Sequence, residues 1–251
     1  LMMKKNIKKF FKSVLSHNQY FALSFLWFRI KGGGDSEMYL VNSLVKKRGR
    51  FLDIGSNIGI YTYFFSNKFS YVDSFEPLTE ITNRIKKLNK QNIEIHNVAL
   101  SNCNSQLTFY IPIIDGKSVT SRASLELQEI PFEERKVEVK TLDSYEFNNV
   151  DLIKIDVEGH EYSVLEGSLL TIKRCKPILL IEIEQRHISR PIDDVFNLIL
   201  AQEYRGFFLF EKSLVSLSEF KYERHQLSSI EDPGSDSYVN NFIFIPKNKL
   251  D

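Results

Sequence analysis

Two stretches of this chain set acids and glycines at spacings that suit cofactor chemistry. The first reads Asp53-Ile54-Gly55-Ser56-Asn57-Ile58-Gly59 and directly follows the apolar run Arg50 to Ile54. Gly55 and Gly59 remove side chains where a backbone must turn tightly and approach a ligand. A helix starting after them would offer free N–H groups to an anionic group. Asp53, at the end of the apolar run, is placed to hold an ammonium directly or through water. The turn is followed by Tyr71-Val72-Asp73-Ser74-Phe75-Glu76-Pro77, with Glu76 lying 21 residues after Gly55. An acid about 20 residues beyond a glycine turn, at the tip of the second strand, accepts hydrogen bonds from ribose hydroxyls.

Together these features imply a nucleoside-containing cofactor, with two candidates. A dinucleotide site wants a second glycine where the backbone meets the pyrophosphate. Here Asn57 holds that position, and its side chain would crowd a diphosphate but can hydrogen-bond an amino-acid carboxylate. Asp53 likewise suits a methionine ammonium better than a diphosphate. The residues therefore favour S-adenosyl-L-methionine, with an NAD-dependent oxidoreductase as the alternative.

The second stretch is Asp151-Leu152-Ile153-Lys154-Ile155-Asp156-Val157-Glu158-Gly159-His160-Glu161. Strand side chains alternate faces, so Leu152, Lys154 and Asp156 share one and Ile153, Ile155 and Val157 the other. A lysine inside a buried strand needs a partner. The run Ile178 to Glu184 puts Glu182 and Glu184 on one face, and neighbouring strands lie roughly 4.8 Å apart. The expectation is a charged cluster of Lys154, Asp156, Glu182 and Glu184, with the lysine amine within hydrogen-bond reach of a carboxylate. The same acids with Glu158 and His187 could ligate a magnesium-type ion. Lys154 already supplies positive charge there, so no metal site is expected.

In the order FLDIGSNIGIYT, SFEP, NVALSN, TLDS and LIKIDVEGHEYSVLEG, these segments resemble the FkbM-type methyltransferases. The resemblance runs from about Glu37 to Pro246, and the IKIDVEGHE run is its specific part. It implies a class I, Rossmann-like α/β fold: a seven-stranded, mostly parallel sheet with helices on both faces and an antiparallel last strand. It also implies O-methylation of a sugar or related small metabolite. Carried onto this chain, it gives Asp53, Gly55, Asn57 and Gly59, with Ser56 between them, to the methionine end of the cofactor. Glu76, with Pro77 beside it, falls to the ribose. Asn97 to Ser101, Ala99 included, would line the adenine, and Asp156 would sit beside the sulfonium. Candidates for a base that takes the hydroxyl proton are Asp156, Glu158, His160 and His187. The segment from Asp115 to Phe132 aligns with nothing and is expected to shape the acceptor pocket.

These residues need elements to position them. Apolar periodicity predicts helices over 37–47, 59–66, 79–90, 162–173 and 192–202. Strands are expected at 50–54, 71–75, 93–98, 152–156, 178–183, 206–210 and 242–245, with weaker antiparallel additions at 107–111 and 137–142. Strands separated by helices mean βαβ units and a mostly parallel sheet covered on both faces. The tail strand is expected to pair antiparallel with 207–210.

Ahead of this domain, residues 1–34 form an expected helical appendage ending at Gly32-Gly33-Gly34. Ile7, Phe10, Phe11, Val14 and Leu15 recur at helical spacing among Lys4, Lys5, Lys8, Lys9 and Lys12. Docking on the main domain (35–251) or on a second subunit, as in a homo-oligomer, is the preferred reading. A membrane-surface anchor through residues 4–15 is the alternative.

Composition excludes several classes. The 251 residues are 43% hydrophobic and 26% charged, enough for a sizeable core. Lys+Arg is 33 against Asp+Glu 32, so a nucleic-acid partner bound through global charge is not expected. The DPPY-type tip of base-flipping methyltransferases is absent where DVEG stands. Only Cys103 and Cys175 occur, which fits a reducing, cytoplasmic setting, peripheral at the inner membrane face if the basic helix anchors there. No run reaches the about 20 apolar residues of a membrane span, and no signal peptide is expected. The remaining rival is a non-catalytic methyltransferase-like binding module. The expected partner is a small-molecule or glycan acceptor.

Overall fold

The computed structural model describes residues 36–250, except 115, 121, 122, 128–130, 233, 234 and 236. The appendage 1–34 lies outside the described residues. Among those described, no helix is long and apolar enough to cross a membrane.

The chain opens with α1 (Ser36–Leu44), β1 (Arg50–Ile54), α2 (Ile60–Ser66), β2 (Tyr71–Phe75), α3 (Thr79–Lys86) and β3 (Ile93–His96). A second group follows: β4 (Ala99–Leu100), β5 (Ser105–Ile114), β6 (Lys117–Ser118) and β7 (Phe132–Lys140). The α/β alternation resumes with β8 (Val150–Ile155), α4 (Glu161–Glu166), α5 (Leu169–Cys175), β9 (Ile178–Glu182), α6 (Ile192–Leu200), β10 (Tyr204–Phe210), β11 (Ser213–Ser216), α7 (Tyr222–His225) and β12 (Asn241–Pro246).

The main sheet has eight strands in the order β11-β10-β12-β9-β8-β1-β2-β3. β3, β2, β1, β8 and β9 run parallel, and β12 lies antiparallel between β9 and β10. The tail pairing is as expected, with Phe207 opposite Ile243 and Phe208 opposite Phe242.

The count of seven strands is corrected to eight, because β11 folds back on β10. The turn between them places Glu211 and Lys212 at φ 48° and 66°. Both positions have the left-handed signs of a tight hairpin turn, which usually takes Asn-Gly. Without that dipeptide the hairpin leaves no local signal.

One helix expected over 162–173 is two. At the break, a Cβ on Gly167 would stand 2.0 Å from the Ser101 carbonyl oxygen, so the chain needs a glycine there to pass that strand end. The Asp143 carboxylate then accepts from the amides of Leu170 and Thr171 at 3.0 and 2.7 Å and starts α5 anew. The weak additions at 107–111 and 137–142 prove to be parts of β5 and β7. They form a separate sheet, β4-β7-β5-β6, rather than extending the main one.

Alternation along the strands sorts the core. Leu52, Ile54, Ile153, Ile155, Leu179 and Ile181 face α4, α5 and α6 through Val164, Leu165, Ile172, Val195 and Phe196. Phe51, Val72, Leu152, Leu180 and Ile243 face α1 and α2 through Met38, Val41 and Phe65. The second sheet seats Phe109, Ile111, Val137 and Val139 against Leu78, Ile81 and Ile85. From β1 the chain steps to β2 and β3, whereas β8 and β9 lie on its other side. The order reverses between β1 and β8, and there the carboxyl ends leave a crevice.

Candidate active site

The crevice is bridged at its base by backbone. The Asp156 amide donates to the Ile54 carbonyl at 3.0 Å. A Cβ on Gly55, which has φ +75°, would stand 1.8 Å from the Asp156 carbonyl oxygen. Glycine is therefore required where the turn after β1 meets the loop after β8. Gly159 has φ +100°, and a Cβ there would meet the His187 carbonyl oxygen at 2.3 Å. The two glycine contacts fix the loop 156–160 against both neighbours.

Above this base lies a cleft with about 590 Å³ of empty space, its open mouth included. Its floor and rim carry Gly55, Asn57, Glu76, Pro77, Asp156 and Glu158. Its apolar wall is built from Val98, Ala99, Leu100, Phe109 and Leu125.

Glu76 is buried, with Oε2 accepting from the Asn57 amide at 3.1 Å and Oε1 from the Leu78 amide at 2.9 Å. Burial pushes its carboxyl up to about 7, against the pull of those two bonds. Each carboxylate oxygen keeps a second lone pair for a ligand hydroxyl. Asn97 clamps the turn that carries Glu76, donating to the carbonyls of Glu76 and Pro77 at 3.0 and 2.8 Å.

Several expected residues stand behind the lining rather than in it. Asp53 is buried under the turn, where Thr62 donates to it at 2.5 Å, and desolvation raises its carboxyl to about 6. The Ser56 hydroxyl accepts from Ser74 at 2.7 Å. Gly59 starts α2 at φ +81° and lies close to Ile85. In the segment 97–101, Val98, Ala99 and Leu100 face the cleft while Asn97 and Ser101 turn to the protein.

The lysine cluster differs from the expected one. The Lys154 amine is buried 3.7 Å from Glu182 Oε2 and 3.9 Å from Asp156 Oδ2, which are ion-pair rather than hydrogen-bond distances. Its hydrogen bonds go to Asn241 Oδ1 at 3.2 Å and the Ile155 carbonyl at 3.4 Å, and it stands over the Tyr61 ring. The antiparallel β12, arriving beside β9, supplies that amide and holds the amine off the carboxylates. Glu184 does not join. It is buried past the end of β9, hydrogen-bonded by the Tyr238 hydroxyl and paired with Arg186 at 2.7 Å.

Among the four base candidates, His160 lines the cleft with both ring nitrogens engaged, Nε2 by Ser101 at 2.8 Å and Nδ1 by Glu126 at 2.6 Å. Glu158 lines the cleft in a left-handed backbone conformation, φ 51°. Its carboxylate stands 3.2 Å from His187 Nδ1, behind the rim. Among the described residues, the close group of metal-type side chains is Asp73, Glu94 and His96 on β2 and β3, outside the lining. Arg50 and His96 already hold Asp73 there.

Glu161, in the first turn of α4, is buried. Its Oε1 accepts from the Gly159 amide at 3.0 Å, its Oε2 finds no hydrogen-bond partner among the described residues, and burial raises it to about 7. Phe109 and, from the segment 115–132 that was expected to shape a pocket, Thr120, Ala123 and Leu125 also line the cleft, with Glu126 against His160; none was singled out by residue, because that segment has no periodicity to read.

The family model of the methyltransferase FkbM domain matches residues 53–209. The chain belongs to the FkbM methyltransferase family, and its fold is that of the class I S-adenosylmethionine-dependent methyltransferases. Among solved structures, it resembles methyltransferase FkbM from Methylobacillus flagellatus KT at 18% identity and a TM-score of 0.50, over 78% of this chain and 43% of that one. This chain thus spans less than half the length of that protein. It also matches SMU.1697c from Streptococcus mutans, a putative methyltransferase solved with SAH, at 10% identity and a TM-score of 0.45, over 83% of this chain and 96% of that one. No curated protein matches the chain.

Proposed function

We propose that this protein transfers a methyl group from S-adenosyl-L-methionine to a hydroxyl oxygen of a sugar or glycan precursor. The observation that carries the reading is one cleft lined by the bare backbone at Gly55, the buried Glu76 carboxylate and Asp156. These residues fit the cofactor. Glu76 offers two acceptor oxygens to the ribose, and the apolar wall of Val98, Leu100 and Phe109 suits a planar base. Asp156 brings a carboxylate to the floor, which favours a sulfonium and an ammonium. A pyrophosphate fits poorly, since the Asn57 amide already points at a carboxylate.

When bound, the cofactor supplies an electrophilic methyl carbon on a positively charged sulfur. The protein's task is alignment, because in-line displacement needs acceptor oxygen, carbon and sulfur on one axis. Asp156 would hold the cofactor's charged centre from the floor, while Lys154 keeps that carboxylate from being stranded among other acids. Glu158 takes the hydroxyl proton onto its carboxylate, which His187 Nδ1 positions from 3.2 Å away. His160 is excluded as the base because its two nitrogens are already used.

The acceptor side supports a polyhydroxylated substrate. From the cleft floor outward, the half-buried ends of β8, β9 and β12 present Asp156, Glu182 and Asn240, where Asn240 donates to Glu182 at 2.8 Å. Such carboxylates and amides match sugar hydroxyls better than an apolar ring system. The test is incubation with labelled S-adenosyl-L-methionine and a panel of sugar and glycan acceptors, comparing wild type with Asp156→Ala and Glu158→Gln. The expected result is label on a sugar oxygen, reduced about 100-fold or more in each variant. Undiminished transfer in both removes these acids from the mechanism, and label on nitrogen or carbon removes the hydroxyl acceptor.

A further inference from the structure

Residues 123–126 cross the cleft as a strap. They come from the segment between the two long strands of the second sheet, and Ala123 and Leu125 face the cleft. Three sets of contacts hold the strap down. Ser124 exchanges both backbone hydrogen bonds with Tyr110 of β5, at 2.8 and 3.0 Å. The Ser124 hydroxyl donates to the Val157 carbonyl at 3.2 Å, in the loop that carries Asp156 and Glu158. The Glu126 carboxylate meets His160 Nδ1 at 2.6 Å, and His160 Nε2 meets the Ser101 hydroxyl at 2.8 Å.

The third contact is a chain across the site: strap, then the loop after β8, then the end of the β4 segment whose neighbours Ala99 and Leu100 form the apolar wall. His160 and Ser101 are buried, so removing one member strands a polar atom of the next away from water. Glu126 is the only member on the strap. The groups facing it are His160 and, from the loop before α6, Arg190, whose guanidinium is stacked over the Tyr162 ring. The hydrogen bond with His160, reinforced by electrostatic attraction from His160 and Arg190, holds the Glu126 carboxyl below its usual range.

We propose that Glu126 is a positioning residue of the cofactor site, acting through His160 and Ser101 to keep residues 123–126 closed over the bound nucleoside. This rests on the cofactor reading above and adds that retention of the cofactor is set from the inserted segment, outside the glycine and acid motifs. Opening the strap would uncover the wall at Leu125 and Phe109 and let the ligand exchange. Closing it shields the site from water.

The test is binding of S-adenosylhomocysteine to the full chain, by calorimetry for affinity and stopped flow for release. Glu126→Ala is expected to weaken binding about tenfold through faster release, beyond the modest drop in unliganded melting temperature that follows from stranding His160 Nδ1. Glu126→Gln, which keeps a carbonyl oxygen for His160 Nδ1, is expected to restore binding to within about threefold of wild type. Hydrogen exchange on the wild type gives a measurement that needs no variant, because the amides of Ser124, Leu125 and Glu126 should gain protection when the ligand binds. Wild-type affinity and release in Glu126→Ala, or no gain of protection on the strap, overturns the proposal while leaving the cofactor reading intact. Failure of the wild-type chain to bind the ligand at all overturns both.

Discussion

The two halves of the cleft are built on different principles. On the β1–β2 side the chain's own backbone makes the site: Gly55 lies against the Asp156 carbonyl, Glu76 is held by two amides, and Asn97 clamps its turn. On the β8–β9 side, side chains hold one another: Lys154 with Asn241 and two carboxylates, Glu158 with His187, and Glu184 with Tyr238 and Arg186. A backbone-built half can receive one fixed ligand, whereas a half built from side chains can be retuned by substitution while the fold stays. Under the proposed function, the cofactor would fall to the first half and the acceptor to the second.

The sharpest way to break this comparison is at the glycines. Gly55→Ala adds a carbon 1.8 Å from a carbonyl oxygen at a position with φ +75°. It should cost more than about 3 kcal/mol of stability, read by denaturant unfolding, and abolish S-adenosylhomocysteine binding. Gly116→Ala has nearly the same backbone angle, φ +69°, with nothing within 4 Å, and should cost only about 1 kcal/mol. Equal losses at the two sites would mean that close approach does not shape the first half.

Next comes the buried cation of the second half. Lys154→Met leaves Asp156 and Glu182 without their counter-charge and should destabilise by about 3 kcal/mol at neutral pH. The loss should shrink as pH falls and the carboxylates protonate. A variant as stable as wild type at pH 8 would show that the amine does not hold this cluster.

The smallest effect is a pH dependence that sharpens the contrast. Asp53 is raised to about 6 and Glu76 and Glu161 to about 7, each by burial. Their ordinary values are 3.8 for Asp and 4.5 for Glu. The folded state therefore binds more protons than the unfolded state between about pH 4 and 7, and these groups lower stability as pH rises through that window. The unliganded protein should melt at a higher temperature at pH 5.5 than at pH 8. Glu161→Gln should flatten the slope. A melting temperature that rises from pH 5.5 to 8 contradicts the burial argument.

The same division explains what the sequence showed. Glycines and acids at fixed spacing could be read because close backbone approach admits few residue types. Gly55 and Glu76 were singled out in this way, and the fold brings both to one cleft; the antiparallel tail strand was legible from an apolar run that needs no partner to be recognised. The hairpin at Glu211–Lys212 was hidden because its turn uses residues without a turn signature. The split between α4 and α5 was hidden because its cause is a carbonyl of a distant strand end. The partners of Lys154 turned on β12, an element 87 residues away in the chain. Glu126 carries no local pattern, and only the fold places it against His160.

The most direct test of the central claim is a calorimetric titration of the wild-type chain and Glu76→Ala with S-adenosylhomocysteine at pH 8, where the Glu76 carboxyl is ionised. The account predicts one site per chain in the wild type and binding weakened at least tenfold in the variant, since ribose hydroxyls lose a charged acceptor. Absence of binding in the wild type, or equal affinity in the two proteins, would contradict it.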